Sequence, residues 1–279
     1  MGGVTLKACK SCMLVKYCKR NHWLKHKKLC KQRAAELRDE ALFKDPPAKE
    51  ECPICFIPMP NELICCISLP PATISSVPIR DFANANEELA KMDTEEYYSC
   101  CGKSICKGCV NSCRESGNID KCPFCNSDRC ITSDKAVEEI RKRTAANDAS
   151  STNVLACCYY FGKLGLLRDR EKAIERYTRA AELGNRKAHF ALGVYYNERG
   201  DLKRAKFHFE AAAVAGHEVA RCNIGTMENN SGNMGQAVKH WTIAASAGYY
   251  TAMHYLLFVF NQGHVSRETL TAYNNSCPR

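Results

Sequence analysis

The sequence predicts a multidomain chain in which small cysteine-stapled modules precede an all-α solenoid of helix-turn-helix repeats. Three observations carry this expectation. Between Cys52 and Cys125 stand three Cys-x-x-Cys pairs and one adjacent pair, Cys100-Cys101. Upstream, Cys9-x-x-Cys12 is followed by His26 and Cys30. Downstream, Gly184, Gly216 and Gly248 recur at a step of 32 residues.

The cysteines divide the chain. Of twenty, four fall in residues 9–30, twelve in 52–130 and four in 157–277. The two dense regions have little continuous apolar pattern, so a conventional core cannot hold them and a cross-link must. Cys-x-x-Cys spacing suits metal better than disulfides. The start, Met1-Gly-Gly-Val-Thr-Leu-Lys7, has no apolar signal core, so a reducing compartment, cytoplasm or nucleus, is expected. No run reaches the roughly 18 apolar residues of a membrane span, and no membrane association is expected. The net charge of +10 is concentrated: residues 1–44 hold twelve Lys or Arg against three acids.

Residues 1–44 form the first module. His26 and Cys30 are one helical turn apart, so with Cys9 and Cys12 they make a plausible Cys₃His zinc tetrahedron. The order Cys9-x-x-Cys12, Tyr17-Cys18, Trp23-x-x-His26-x-x-x-Cys30 resembles the second half of a MYND finger. The leading Cys pair of a complete finger is absent. Cys18 and His22 alone do not complete a second site. The resemblance implies capture of short peptides. The basic surface invites a nucleic-acid reading, but no regular aromatic interleaving supports base stacking. Lys25, Lys27, Lys28 and Lys31 read as the solvated face of a helix.

Residues 45–135, entered through Pro46-Pro47, form the second module. Its order of Cys pairs resembles a RING domain, whose two zinc sites interleave along the chain. The resemblance implies one site from Cys52, Cys55, Cys106 and Cys109, and another from Cys100, Cys101, Cys122 and Cys125. Lys103 stands near the usual His ligand and has no lone pair for a metal when protonated. Cys65-Cys66, in the long loop from Phe56 to Ser99, is an alternative source for the half-site assigned to Cys100. Ile54 and Pro123 match positions that, in that family, dock a ubiquitin-conjugating enzyme. Asn126 stands where active ligases commonly carry a cation.

Residues 136–147 read as a linker, with the charged stretch Val137–Arg143 as a short exposed helix. Residues 148–279 are the solenoid. With Gly at its 32-residue step run Ala180, Ala212 and Ala244, Ala188, Ala220 and Ala252, and the aromatics Tyr177, Phe209 and Trp241. A fixed period of this size signals stacked helix pairs. One unit is helix Arg186–Asn197, a turn Glu198–Asp201, and helix Leu202–Ala215 closed by Gly216. Small residues admit close helix approach and the aromatic fills the space between units. The pattern Ala188-x-x-x-Leu192-Gly193-x-x-Tyr196, then Ala205-x-x-x-Phe209-x-x-Ala212-x-x-x-Gly216, resembles the Sel-like repeats related to the tetratricopeptide family. An earlier unit, from Leu155-Ala156 to Ala180, fits with a longer turn. His189, His208, His217, His240 and His254 have no accompanying ligand pattern, and Cys157, Cys158 and Cys222 read as small apolar residues.

No nucleophile–base arrangement, phosphate loop or open metal site is present in the sequence. The expectation is about three structural Zn²⁺ ions. The resemblances imply a RING-type ubiquitin-protein ligase without a covalent catalyst, docking a conjugating enzyme on the central module and protein or peptide ligands on the solenoid. The alternative is a non-enzymatic zinc-stabilised interaction scaffold.

Overall fold

A computed structural model of the protein describes residues 7–8, 16–17, 20–47, 95–117, 120–128 and 132–265, with the backbone alone at 7–8, 16–17, 20–30, 95 and 107. The chain divides into two compact units, Met1–Asp45 and Pro46–Arg279. In the first, the short strands β1 (Lys7–Ala8) and β2 (Lys16–Tyr17) pair antiparallel, with Lys7 opposite Tyr17. The helix α1 (Arg20–Leu42) follows. On it Arg33 bridges Glu36 at 2.9 Å and Glu40 at 3.0 Å.

The second unit begins, among described elements, with an antiparallel hairpin of β3 (Glu95–Tyr98) and β4 (Lys103–Cys106). The helix α2 (Lys107–Glu115) leads directly from it. A small cluster of Tyr98, Ile105, Cys109, Val110 and Cys122 is buried here, and Phe124 meets Tyr98 edge-on at 6.0 Å. Two of these five core residues are cysteines. So slight an apolar core needs a cross-link.

The stretch expected as a short exposed linker helix is instead α3 (Ser133–Ala145), which starts earlier and buries Val137 and Ile140. Spaced three apart, these two share a face. That face packs against α4 (Ala149–Phe161), the first helix of the solenoid.

The solenoid continues as α5 (Arg170–Glu182), α6 (Arg186–Glu198), α7 (Leu202–Val214), α8 (Glu218–Asn230), α9 (Met234–Ser246) and α10 (Tyr250–Asn261). The expected unit of helix, turn and helix over 186–215 is present within a residue at each end. One backbone device repeats at the ends of α5, α7 and α9. Gly184, Gly216 and Gly248 take φ of +86°, +86° and +89°. The Gly184 N–H donates to Ala181 and the Asn185 N–H to Ala180, both at 2.9 Å. These are the paired bonds of a Schellman ending. Asn185 then caps α6, its Oδ1 accepting from the Ala188 N–H at 3.0 Å. The residue that closes one helix therefore opens the next. His217 does the same for α8 through Nδ1, 3.3 Å from the Ala220 nitrogen.

Packing between helices depends on missing side chains. A Cβ at Gly193 would lie 2.5 Å from the Phe209 ring, and one at Gly225 would lie 2.6 Å from Trp241 Nε1. The aromatics of α7 and α9 thus rest directly on the backbone of α6 and α8. The helix α8 is buried on every side from Glu218 to Glu228. Its polar groups are engaged: Arg221 donates to the Ala213 carbonyl at 2.8 Å, and Glu228 pairs with Lys206 and accepts from Asn233. Cys158 and Cys222 are buried as small apolar residues, while Cys157 is half-buried and bonded to the Tyr177 hydroxyl at 3.3 Å. No helix among the described residues is long and apolar enough to cross a membrane.

Candidate metal centre

Two backbone turns build the site. The first joins β3 to β4: the Tyr98 carbonyl accepts from the N–H groups of Cys101 and Gly102, at 3.3 and 2.8 Å. This turn carries Cys100 and Cys101, both half-buried against the small core. Gly102 has φ +74°, and a Cβ there would sit 3.0 Å from both Arg143 Nη1 and Asp148 Oδ2. Only glycine meets both demands. The second turn is Cys122-Pro-Phe-Cys125-Asn126. The Asn126 N–H donates to the Cys122 carbonyl at 3.0 Å, the Cys122 N–H donates to Ser127 at 2.9 Å, and Lys121 pairs with Asp128. Asn126 closes this turn in the left-handed region at φ +56°, which Asn tolerates better than most residues.

The four thiols meet. Cys100, Cys101, Cys122 and Cys125 have their sulfurs all within 4.8 Å of one another. Cys101 Sγ is 3.6 Å from Cys122 Sγ, and Cys125 Sγ is 3.6 Å from Cys100 Sγ. A tetrahedral site with Zn–S bonds of ~2.3 Å requires sulfurs ~3.8 Å apart, so this donor set can hold a metal ion. Protein would occupy every coordination position, the mark of a structural site rather than a catalytic one.

The electrostatics divide the thiols. Burial, reinforced by the neighbouring thiols, pushes Cys100 well up. Burial also raises Cys101, opposed by the Lys103 backbone N–H. Cys125 is lowered to about 6, first by the Ser127 side chain at 3.2 Å and then by the Ser127 backbone N–H. The backbone N–H two residues after Cys101 and after Cys125 thus acts on each sulfur, one per turn. Such bonds favour the thiolate form a metal requires.

Other expected site residues have different fates. Cys106 is the N-cap of α2 and Cys109 lies in its first turn, buried in the small core. Their implied partners Cys52 and Cys55, the docking residue Ile54, and Cys65-Cys66 lie outside the described residues. So do Cys9, Cys12 and Cys18. His26 and Cys30 fall on α1, a turn apart, with their side chains outside the description. Pro123 is exposed. Lys103 is also exposed and lies over the Phe124 ring, with Nζ 5.1 Å from its centre.

Sequence reasoning missed the support from outside the module. Arg143 on α3 donates from Nε to the Ser99 carbonyl at 2.8 Å and from Nη2 to the Cys100 carbonyl at 2.6 Å. Ser99 Oγ donates to Glu139 at 2.6 Å, and the Tyr97 hydroxyl is 2.6 Å from Ser151 Oγ on α4. These contacts span 40 residues or more. No local spacing announces them.

The fold and site define an α-solenoid of helix pairs, preceded by a hairpin that contributes two thiols to a four-cysteine cluster. Within it, residues 149–185, 186–217 and 231–249 match the Sel1 repeat family. Among solved structures, c5321, a protective antigen of uropathogenic Escherichia coli strains displaying an SLR fold, is 30% identical over 48% of this chain and 30% of its own, with a TM-score of 0.43. A Sel1 repeat protein from Oxalobacter formigenes is 21% identical over 52% of this chain and 62% of its own, with a TM-score of 0.45. The chain therefore spans under a third of the first and under two thirds of the second. No curated protein matches the sequence.

Proposed function

We propose that the protein is a zinc-stapled interaction scaffold, in which the cysteine modules brace a Sel1-repeat solenoid that binds protein or peptide ligands. The observation that carries this reading is the convergence of Cys100, Cys101, Cys122 and Cys125 at metal-ligand separations beside repeats of the Sel1 family. Zinc, when bound, supplies a cross-link that a five-residue core does not. The chain's own residues do the rest. Two turns present the sulfurs, backbone N–H groups favour the thiolates, and α3 anchors the first turn. Pulldown with the full chain and with the solenoid deleted tests the reading. Partners lost with the solenoid support it; partners retained in full without the solenoid contradict it.

The second reading is a RING-type ubiquitin ligase, supported by the cross-brace order of the Cys pairs and by exposed Pro123 beside Cys122. In that case the central module docks a charged conjugating enzyme and acts by positioning it near a substrate held on the solenoid. The site includes Ile54 and Pro123, and Asn126 contributes no charge. Autoubiquitination with a panel of purified conjugating enzymes distinguishes the two readings. Transfer that Ile54→Ala and Pro123→Ala abolish supports the ligase; absence of transfer with every enzyme leaves the scaffold. The localisation that fits either reading is cytoplasm or nucleus.

A further inference from the structure

Arg143 on α3 links the cysteine-bearing turn to the start of the solenoid. The Arg143 guanidinium spans the Ser99 and Cys100 carbonyls at 2.8 and 2.6 Å, and its Nη1 lies 3.9 Å from Asp148 Oδ2. The other oxygen of Asp148 caps α4, accepting from the Ser150 and Ser151 N–H groups at 2.9 and 3.0 Å. Ser151 in turn is 2.6 Å from the Tyr97 hydroxyl on β3. The contacts form a closed circuit: hairpin, Arg143, Asp148, the first turn of α4, and back to the hairpin. Gly102 lies inside it, without room for a side chain.

Two physical facts give the circuit a direction. A solenoid's end repeat has a neighbour on one side only and needs a cap. Here α3 packs on that end, and the hairpin is tied to it through Arg143 on α3 and through Tyr97 on Ser151. Two turns that converge four thiols beside a small core depend on metal to hold them. A fork of two parallel N–H donors on adjacent carbonyls is geometrically demanding. It survives only while the turn keeps its shape.

We infer that metal occupancy at Cys100, Cys101, Cys122 and Cys125 is coupled, through the Arg143 fork on the Ser99 and Cys100 carbonyls, to the order of the first solenoid helix. Loss of metal opens the turn, frees Arg143 from its carbonyls and frays α4 from its N-terminal end. Metal supply thereby regulates the interaction surface. Arg143 is a positioning residue here and touches no metal. The inference rests on the metal reading above, and its test separates the two.

The experiment is hydrogen exchange on the full chain, zinc-loaded and chelator-treated, with metal content measured on the same samples. In the wild type, zinc removal is expected to raise exchange in the first turn of α4 by about tenfold or more while α7 stays unchanged. Cys125→Ser, which opens this site alone, reproduces the effect with zinc present. In Arg143→Met zinc still binds, and exchange in α4 no longer depends on it. If Arg143→Met fails to fold, Arg143→Lys is read in the same way, because it keeps the charge and lacks the fork. A wild-type chain that loads zinc normally and shows no zinc dependence in α4 overturns the coupling alone. Full transmission in the Arg143 variant also overturns it. A chain that takes up no zinc overturns the metal reading, and the coupling with it.

Discussion

Cys101 Sγ lies 3.6 Å from Cys122 Sγ, although β4 and α2 lie between them in the chain. Cys122 is buried and Cys101 half-buried, and a metal ion shared by the four sulfurs would account for this approach.

Gly102 is the tightest point of the first turn. Gly102→Ala adds a Cβ 3.0 Å from Arg143 and Asp148 and places it at φ +74°. Gly117→Ala shares the left-handed conformation, at φ +77°, with nothing within 4 Å. Both suffer the left-handed penalty of about 1–2 kcal/mol, and only the first also displaces the Arg143 fork. Competition with a chromogenic chelator is expected to show weakened zinc retention in Gly102→Ala and near wild-type retention in Gly117→Ala.

Two helical glycines should respond with opposite signs. At Gly193 an added methyl collides with the Phe209 ring at 2.5 Å, and overpacking of this kind costs about 1–3 kcal/mol. At Gly235, inside α9, an added methyl meets nothing within 4 Å. Gly235→Ala should stabilise by about 0.5–1 kcal/mol through helix propensity. Urea melts followed by circular dichroism give both values. Equal effects would contradict the proposed packing of α7 on α6.

His217 makes the solenoid acid-sensitive. It is fully buried, stacks on Phe190 at 4.4 Å, and burial lowers its pKa to about 3. A folded pKa below the ordinary value near 6.5 means that the folded state binds fewer protons. The stabilisation is therefore complete above about pH 6.5 and is lost as pH falls toward 3. The limiting slope is about 1.4 kcal/mol per pH unit for one proton. Asn185, at the same position one repeat earlier, caps with its amide oxygen. His217→Asn should keep the cap and flatten the loss of stability between pH 6.5 and 4.5. An unchanged slope would show that His217 is not a group that titrates on unfolding.

The capping carboxylates offer a local check. Asp201 closes the turn after α6 and caps α7, its Oδ1 accepting from the Arg204 N–H at 3.0 Å. Asp201→Ala should cost about 1 kcal/mol, read as a lower urea midpoint with an unchanged slope.

The solenoid was legible in the sequence because its determinants are local and periodic. Gly216, Ala212 and Phe209 each mark a backbone or packing requirement that recurs every 32 residues. Helix limits over 186–215 could therefore be read to within a residue. The knuckle spacings were legible for the same reason, since Cys122-x-x-Cys125 is a local turn. Contacts set by tertiary placement were not. The charges of Val137–Arg143 suggested solvent, yet Arg143 and Glu139 both serve the hairpin more than 35 residues upstream. The charged residues of α8 look like an exposed face, and burial on every side overrides that pattern. His217 had no ligand pattern, and its role as a helix cap shows only once Ala220 is seen above it.

The central claim is that metal, not apolar burial, holds the cysteine-bearing part of the chain. Elemental analysis of the purified full chain, paired with the Cys101→Ser and Cys122→Ser variants, tests it most directly. The account predicts about three zinc ions per wild-type chain and one fewer in either variant. A wild-type protein whose 95–128 region is folded and protected from exchange while containing no zinc would contradict it.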